Sequence, residues 1–167
     1  MCFFPVAPVP AAARIPLDQP IPLGYNRAML TLNTRSRYGL AALLSLATGY
    51  EQGLVQAKEI ANHHGIPPKY LEQILVRLTS TELVQSVRGK HGGYRLARPP
   101  AKISVLEALE ALEGGLALAG DNGATVPEAV TALFEEAEAA LRQVFSISLA
   151  ELAERQHRLA RSLIFHI

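Results

Sequence analysis

One change of hydrophobic period limits what this chain can fold into. As far as Ser80 its apolar residues recur at three- and four-residue intervals, and beyond it they fall in two short β-prone runs around Gly89-Lys90-His91-Gly92-Gly93. Leu40, Leu43, Leu44 and Ala47 predict a helix from Ser36 to Thr48, with Asn33 or Thr34 as N-cap and Gly49 as stop. Ile60 and Ala61 face inward on a second helix, Ala57–His64, and Gly65 stands where a residue with positive φ is wanted. A third helix, Pro68–Ser80, tolerates Pro68 in its first turn. It sets Leu71, Ile74, Leu75 and Leu78 on one side and Lys69, Glu72, Gln73, Val76 and Arg77 on the other. Leu83–Arg88 and Tyr94–Arg98 then pair as a hairpin closed by Pro99-Pro100. Any amphipathic surface helix would show the polar stripe, but a hairpin directly after a helix-turn-helix makes a wing.

Behind the wing, Ser104-Val105-Leu106-Glu107 matches a capping box that opens a fourth helix ending at Gly114-Gly115. Residues 114–125 read as a loop with four glycines, in which Asp121 is the one conceivable metal ligand. Thr125-Val126-Pro127-Glu128 is a second capping box, with Pro127 in the first turn. After it Val130, Leu133, Phe134, Ala137, Leu141, Val144 and Phe145 form a seam along a helix of about twenty residues, roughly 30 Å long. A third box, Ser148-Leu149-Ala150-Glu151, opens a last helix carrying Leu152, Leu159 and Leu163. The seam exceeds what a small winged domain needs for its own cover. It is expected to pack on a second copy across a two-fold axis, the other reading being a contact within one chain. The fold class expected is mainly α with a small β-hairpin wing: a winged helix-turn-helix at 29–113, a glycine-rich loop at 114–125 and a helical dimerisation region at 126–167.

Composition narrows the chemistry. With 167 residues, 49% of them apolar, the chain can bury one core or two small ones. Cys2 is the single cysteine, so neither an internal disulfide nor an all-cysteine metal site can form within one chain. No apolar run approaches the roughly 18 residues that span a bilayer, and no membrane partner is expected. Six of the eleven prolines fall in residues 1–28, which reads as an extended, poorly ordered leader; Met29 is the expected natural start. His63 and His64 point to different helix faces, and His91, His157 and His166 are far apart, so no metal site is expected. No nucleophile elbow, phosphate loop, paired-carboxylate or serine–histidine signature is visible, and an enzyme is not expected. Charge is divided instead: residues 29–100 hold nine basic and four acidic side chains, and residues 101–167 five basic and ten acidic. A basic front on an acidic back points to a polyanion-binding module, chance clustering of solvated charge being the alternative.

Residues Leu32 to Gly114 resemble the Rrf2 family of bacterial winged-helix regulators. The resemblance is carried by Leu32-Asn33-Thr34-Arg35-Ser36-Arg37-Tyr38-Gly39, Glu59-Ile60-Ala61, Tyr70-Leu71-Glu72-Gln73, Leu83-Val84-Gln85-Ser86-Val87-Arg88-Gly89 and Gly92-Gly93-Tyr94-Arg95-Leu96-Ala97. It implies a homodimeric transcription regulator of the bacterial cytoplasm, with repression the expected direction, acting on a palindromic double-stranded DNA operator. A small-molecule or protein effector is a further expected partner. It also implies that Tyr70, Glu72 and Gln73 face DNA in the major groove, with Arg88 the minor-groove reader and Gly89 and Tyr94 beside it. Lys69, Arg77 and Lys90 fit phosphate contacts, which position without specifying, and Arg35 and Arg37 are either backbone contacts or ordinary solvated arginines. Two departures stand out. Lys90-His91 occupy wing positions where the family commonly has proline and glycine. Residues 114–125 lack the three cysteines of cluster-binding members, and Arg37 lies near the position of the additional acidic or histidine ligand. No cofactor and a colourless protein are therefore expected. The rival reading is a winged protein-interaction module with little DNA binding of its own, regulated by a partner enzyme or small ligand.

Overall fold

The computed structural model describes residues 32–89, 92–115, 118 and 126–164. The expectations for the leader, for Met29 and Cys2, and for Lys90, His91, Asp121, Thr125 and His166 lie outside these residues.

Helix α1 runs Thr34–Thr48 and is capped by Asn33, whose side chain accepts a hydrogen bond from the Arg35 amide at 3.2 Å. Its buried face is Ser36, Gly39, Ala42, Leu43, Leu46 and Ala47. That is rotated from the expected stripe, because Leu40 and Leu44 stop half-exposed. The cause is a close helix crossing at Gly39, where a Cβ atom would lie 2.4 Å from Leu112 Cδ1 of the fourth helix. Glycine leaves the space that the Leu112 side chain fills. Helix α2, Ala57–His64, ends at Gly65 with φ 62°, the left-handed conformation expected of that residue. Helix α3, Pro68–Ser80, buries Leu71, Ile74, Leu75 and Leu78 as its periodicity predicts.

Strands β1, Val84–Val87, and β2, Gly93–Leu96, pair antiparallel with Val84 opposite Leu96 and Val87 opposite Gly93. The ladder is shorter than the two sequence runs. It gains a third partner that sequence did not show: Val55, just before α2, exchanges backbone hydrogen bonds of 2.9 and 2.8 Å with Tyr94. This explains two wing glycines. A Cβ at Gly93 would lie 2.7 Å from the Val55 carbonyl oxygen, and one at Gly92 would lie 2.3 Å from that of Val87. They let the chain pack closely on itself, whereas Gly89, at φ 123°, supplies the turn.

Helix α4, Val105–Glu113, starts at Ser104, whose hydroxyl accepts from the Glu107 amide at 3.0 Å. Glu107 leaves the reciprocal half of the predicted box and pairs with Arg98 instead. Helix α5, Glu128–Phe145, spans 18 residues and begins after Pro127, which stands at the N-cap without a side-chain cap bond. Helix α6, Leu149–Ile164, opens with both halves of its capping box in place, Ser148 N to Glu151 Oε2 at 2.7 Å and Glu151 N to Ser148 Oγ at 3.1 Å. Its start returns to the winged core: Val105 N donates to Ile147 O, Leu149 N donates to Ile103 O, and Leu149 is fully buried. One apolar cluster thus joins α1, α2, α3, the wing, α4 and the first turns of α6.

Candidate nucleic-acid interface

Burial of one side of α3 fixes what the other side presents. Lys69, Glu72, Gln73 and Val76 are exposed along it. Tyr70 is half-buried, its ring edge-on to that of Tyr38 with centroids 5.9 Å apart. Much of that ring therefore serves the α1–α3 contact instead of standing free at the surface. Arg77 has a structural tie as well. It is half-buried, and its Nε donates to the Ala111 carbonyl at 2.6 Å. The guanidinium closes an otherwise open acceptor in the last turn of α4, where a cation is also favoured by the helix dipole. Arg77 thus ties α3 to α4, and it also lines the surface depression that holds Arg35, Gln73 and Ser80.

The wing turn stands beside the start of α2. Arg88 and Gly89 are exposed there, and Tyr94 is half-buried behind them. Arg95 is exposed and held by a 3.1 Å bond from its Nε to Gln85 Oε1. Gln56, Ala57 and Lys58 at the start of α2 line one depression with Val87, Arg88 and Gly89. Sequence reasoning counted Lys58 only as a charge; the Val55–Tyr94 pairing brings it next to the wing, a tertiary contact with no local signal. Near the other end of α3, Arg35 lines a second depression with Gln73, Val76 and Ser80. Exposed cations on α2, α3 and the wing turn, with the acceptor Glu72 and the amide Gln73 on α3, suit a polyanionic partner.

Titratable groups elsewhere are structural. His64 Nε2 and Ser45 Oγ are 2.7 Å apart, and the imidazole is held below its ordinary pKa by burial and then by neighbouring His63. Arg142 on α5 bonds Glu110 of α4 at 2.7 Å and Glu138 at 2.9 Å, while the other Glu138 oxygen accepts from the Leu118 amide at 3.4 Å. The Arg142 bond, then the Leu118 amide, hold the Glu138 carboxyl below its usual range.

The seven seam positions on α5 divide. Leu133 and Val144 are each 62% exposed, and Val130, Phe134 and Ala137 are exposed as well. Leu141 is half-buried, and Phe145 packs against its own chain's core. No residue of α5 is buried in the single chain.

A helix-turn-helix with a hairpin wing, its second helix bearing an exposed polar stripe, is the fold of a winged-helix nucleic-acid reader. The chain belongs to the Rrf2 family: the model of that family, described as an iron-dependent transcriptional regulator, matches residues 32–155. The fold and family are those the resemblance implied. The HTH-type transcriptional regulator IscR of Cereibacter sphaeroides is 43% identical over 86 residues, which are 50% of this chain and 56% of that protein. The chain spans between half and three-fifths of the length of the curated relatives it matches. Among solved structures, CymR of B. subtilis, described as the global cysteine regulator, matches with a TM-score of 0.71 at 31% identity, over 76% of this chain and 98% of its own. T. potens IscR matches with a TM-score of 0.66 at 33% identity, over 76% of this chain and 88% of its own.

The family description names iron, and the donors here do not fit an iron–sulfur cluster. The α4–α5 junction carries charge-paired carboxylates on Arg142, residues 114–125 contain no cysteine, and Arg37 is an exposed cation. Among the described residues no group of three or more histidine, cysteine or acidic side chains could hold a metal ion. No described helix is long and apolar enough to cross a membrane.

Proposed function

We propose that this chain is a cluster-free, sequence-specific DNA-binding repressor that acts in the bacterial cytoplasm as a homodimer on a palindromic operator. The observation that carries this reading is the exposed stripe Lys69–Glu72–Gln73 on α3, followed by a wing whose Arg88 is exposed and whose second strand is tied near the turn to Val55. Glu72 accepts from a cytosine amine and Gln73 pairs with an adenine edge in the major groove. Arg88 enters the narrow, electronegative minor groove, with Gly89 and Tyr94 shaping the turn behind it. Lys69, Lys58, Arg35 and Lys90 neutralise phosphates and set the register, and Tyr70 supports the helix from beneath. The α5 face of Val130, Leu133, Phe134, Ala137 and Val144, flanked by Leu141 and Phe145, meets its copy, because a two-fold operator needs two heads about one helical turn apart. The chemistry is binding, not catalysis.

The test is operator discovery by genome-wide footprinting, followed by affinity measurements on the purified chain over a range of salt. Tight binding that falls steeply with salt and drops in Arg88→Ala supports the reading. Binding indifferent to both salt and Arg88→Ala would refute it and favour a protein-interaction module.

A further inference from the structure

The outward face of α3 carries one side chain that neither folding nor charge accounts for. Val76 is 67% exposed, the most exposed large hydrophobic side chain among the described residues. Its companions along that face, Lys69, Glu72, Gln73 and Ser80, are polar and exposed. A β-branched residue at a solvated helix position loses rotamer freedom and leaves its methyl groups in water, so lysine, glutamine or glutamate would serve the helix better. Lone exposed apolar residues are ordinary on protein surfaces. What sets this one apart is its place: three residues beyond Gln73, four beyond Glu72, in the same depression as Arg35, Gln73 and Ser80.

We infer that Val76 is a specificity-determining residue that packs on the C5-methyl group of a thymine in the major groove. The inference rests on the DNA-reading role proposed above and deepens it. Thymine is marked in that groove by one acceptor and one methyl group, and polar side chains register only the acceptor. Glu72 and Gln73 supply hydrogen bonding; a methyl-terminated side chain of fixed rotamer supplies what they lack. Three residues of helix advance about 4.5 Å against a base-pair rise of about 3.4 Å, so Val76 falls over a pair neighbouring the one Gln73 meets. Contact with the thymine methyl withdraws apolar surface of both partners from water, and a cytosine or a purine at that position offers no such surface.

The decisive experiment removes the methyl group from the DNA. In an operator selected from random duplexes with the full chain, each thymine is replaced in turn by deoxyuridine, symmetrically in both half-sites, and affinity is read by fluorescence anisotropy. Wild type is expected to lose about three- to fivefold per half-site at one thymine, the order expected for one methyl withdrawn from an apolar contact. Val76→Ala, which keeps the helix and raises its propensity, is expected to bind thymine and deoxyuridine operators equally at that position, whereas Gln73→Ala keeps the difference. If no thymine shows the loss in wild type, or if Val76→Ala shows it undiminished, the assignment is overturned. Failure of wild type to select any sequence would overturn the DNA-reading role along with it.

Discussion

Gln73 and Lys69 stand four residues apart on one exposed face, and the proposed reading gives them different work. Gln73→Ala is expected to lose about 1–3 kcal/mol on the preferred operator and to relax base choice at one position, seen in a binding-site selection. Lys69→Ala should weaken all sequences alike and shallow the salt dependence of log K by about one unit. Equal losses in both assays would break this division. A third residue answers to pH. His64 has a folded-state pKa below its unfolded one, so the unfolded chain binds the proton more readily. The stability His64 contributes is complete above the ordinary imidazole range and is lost as pH falls towards the folded pKa. Denaturant midpoints should drop on acidification through that window, and the drop should shrink in His64→Gln.

At the scale of elements, the last turn of α4 gathers three ties. Ala111 O accepts from Arg77 of α3, Glu113 from Ser36 of α1, and Glu110 from Arg142 of α5. Arg77→Ala should cost about 1 kcal/mol of stability and weaken operator binding without the unit change in salt slope expected of a phosphate contact. Thermal melts and salt titrations together separate the two roles. The sequence made α2, α3, the wing turn and the stops at Gly65 and Gly114 legible because periodicity and turn chemistry are local. Other features stayed hidden because distant partners set them. The face α1 buries depends on Leu112 meeting Gly39, the wing's third strand residue is Val55, and Arg77 points inward because Ala111 leaves a carbonyl for it. For the interface, the exposed positions of α3 were readable from its period, but the half-burial of Tyr70 and the nearness of Lys58 to the wing were not.

At the scale of the whole molecule, the exposed face of α5 is the surface proposed to meet a second copy. Leu133→Asp on its exposed face should leave the head folded, shift the chain to monomer in sedimentation, and lower operator affinity by far more than any one base contact, since a lone head loses the second half-site. A variant that stays dimeric would relocate the interface.

The return of the chain at Ile147–Leu149 has a consequence for how such a regulator can respond. Because Arg142 in the last turn of α5 ties to Glu110 and the chain re-enters the head a few residues later at Leu149, α5 behaves as a handle fixed to the head at its C-terminal end. A signal that tilts the handle must strain the head as well, so reach along the duplex and grip on its bases would change together.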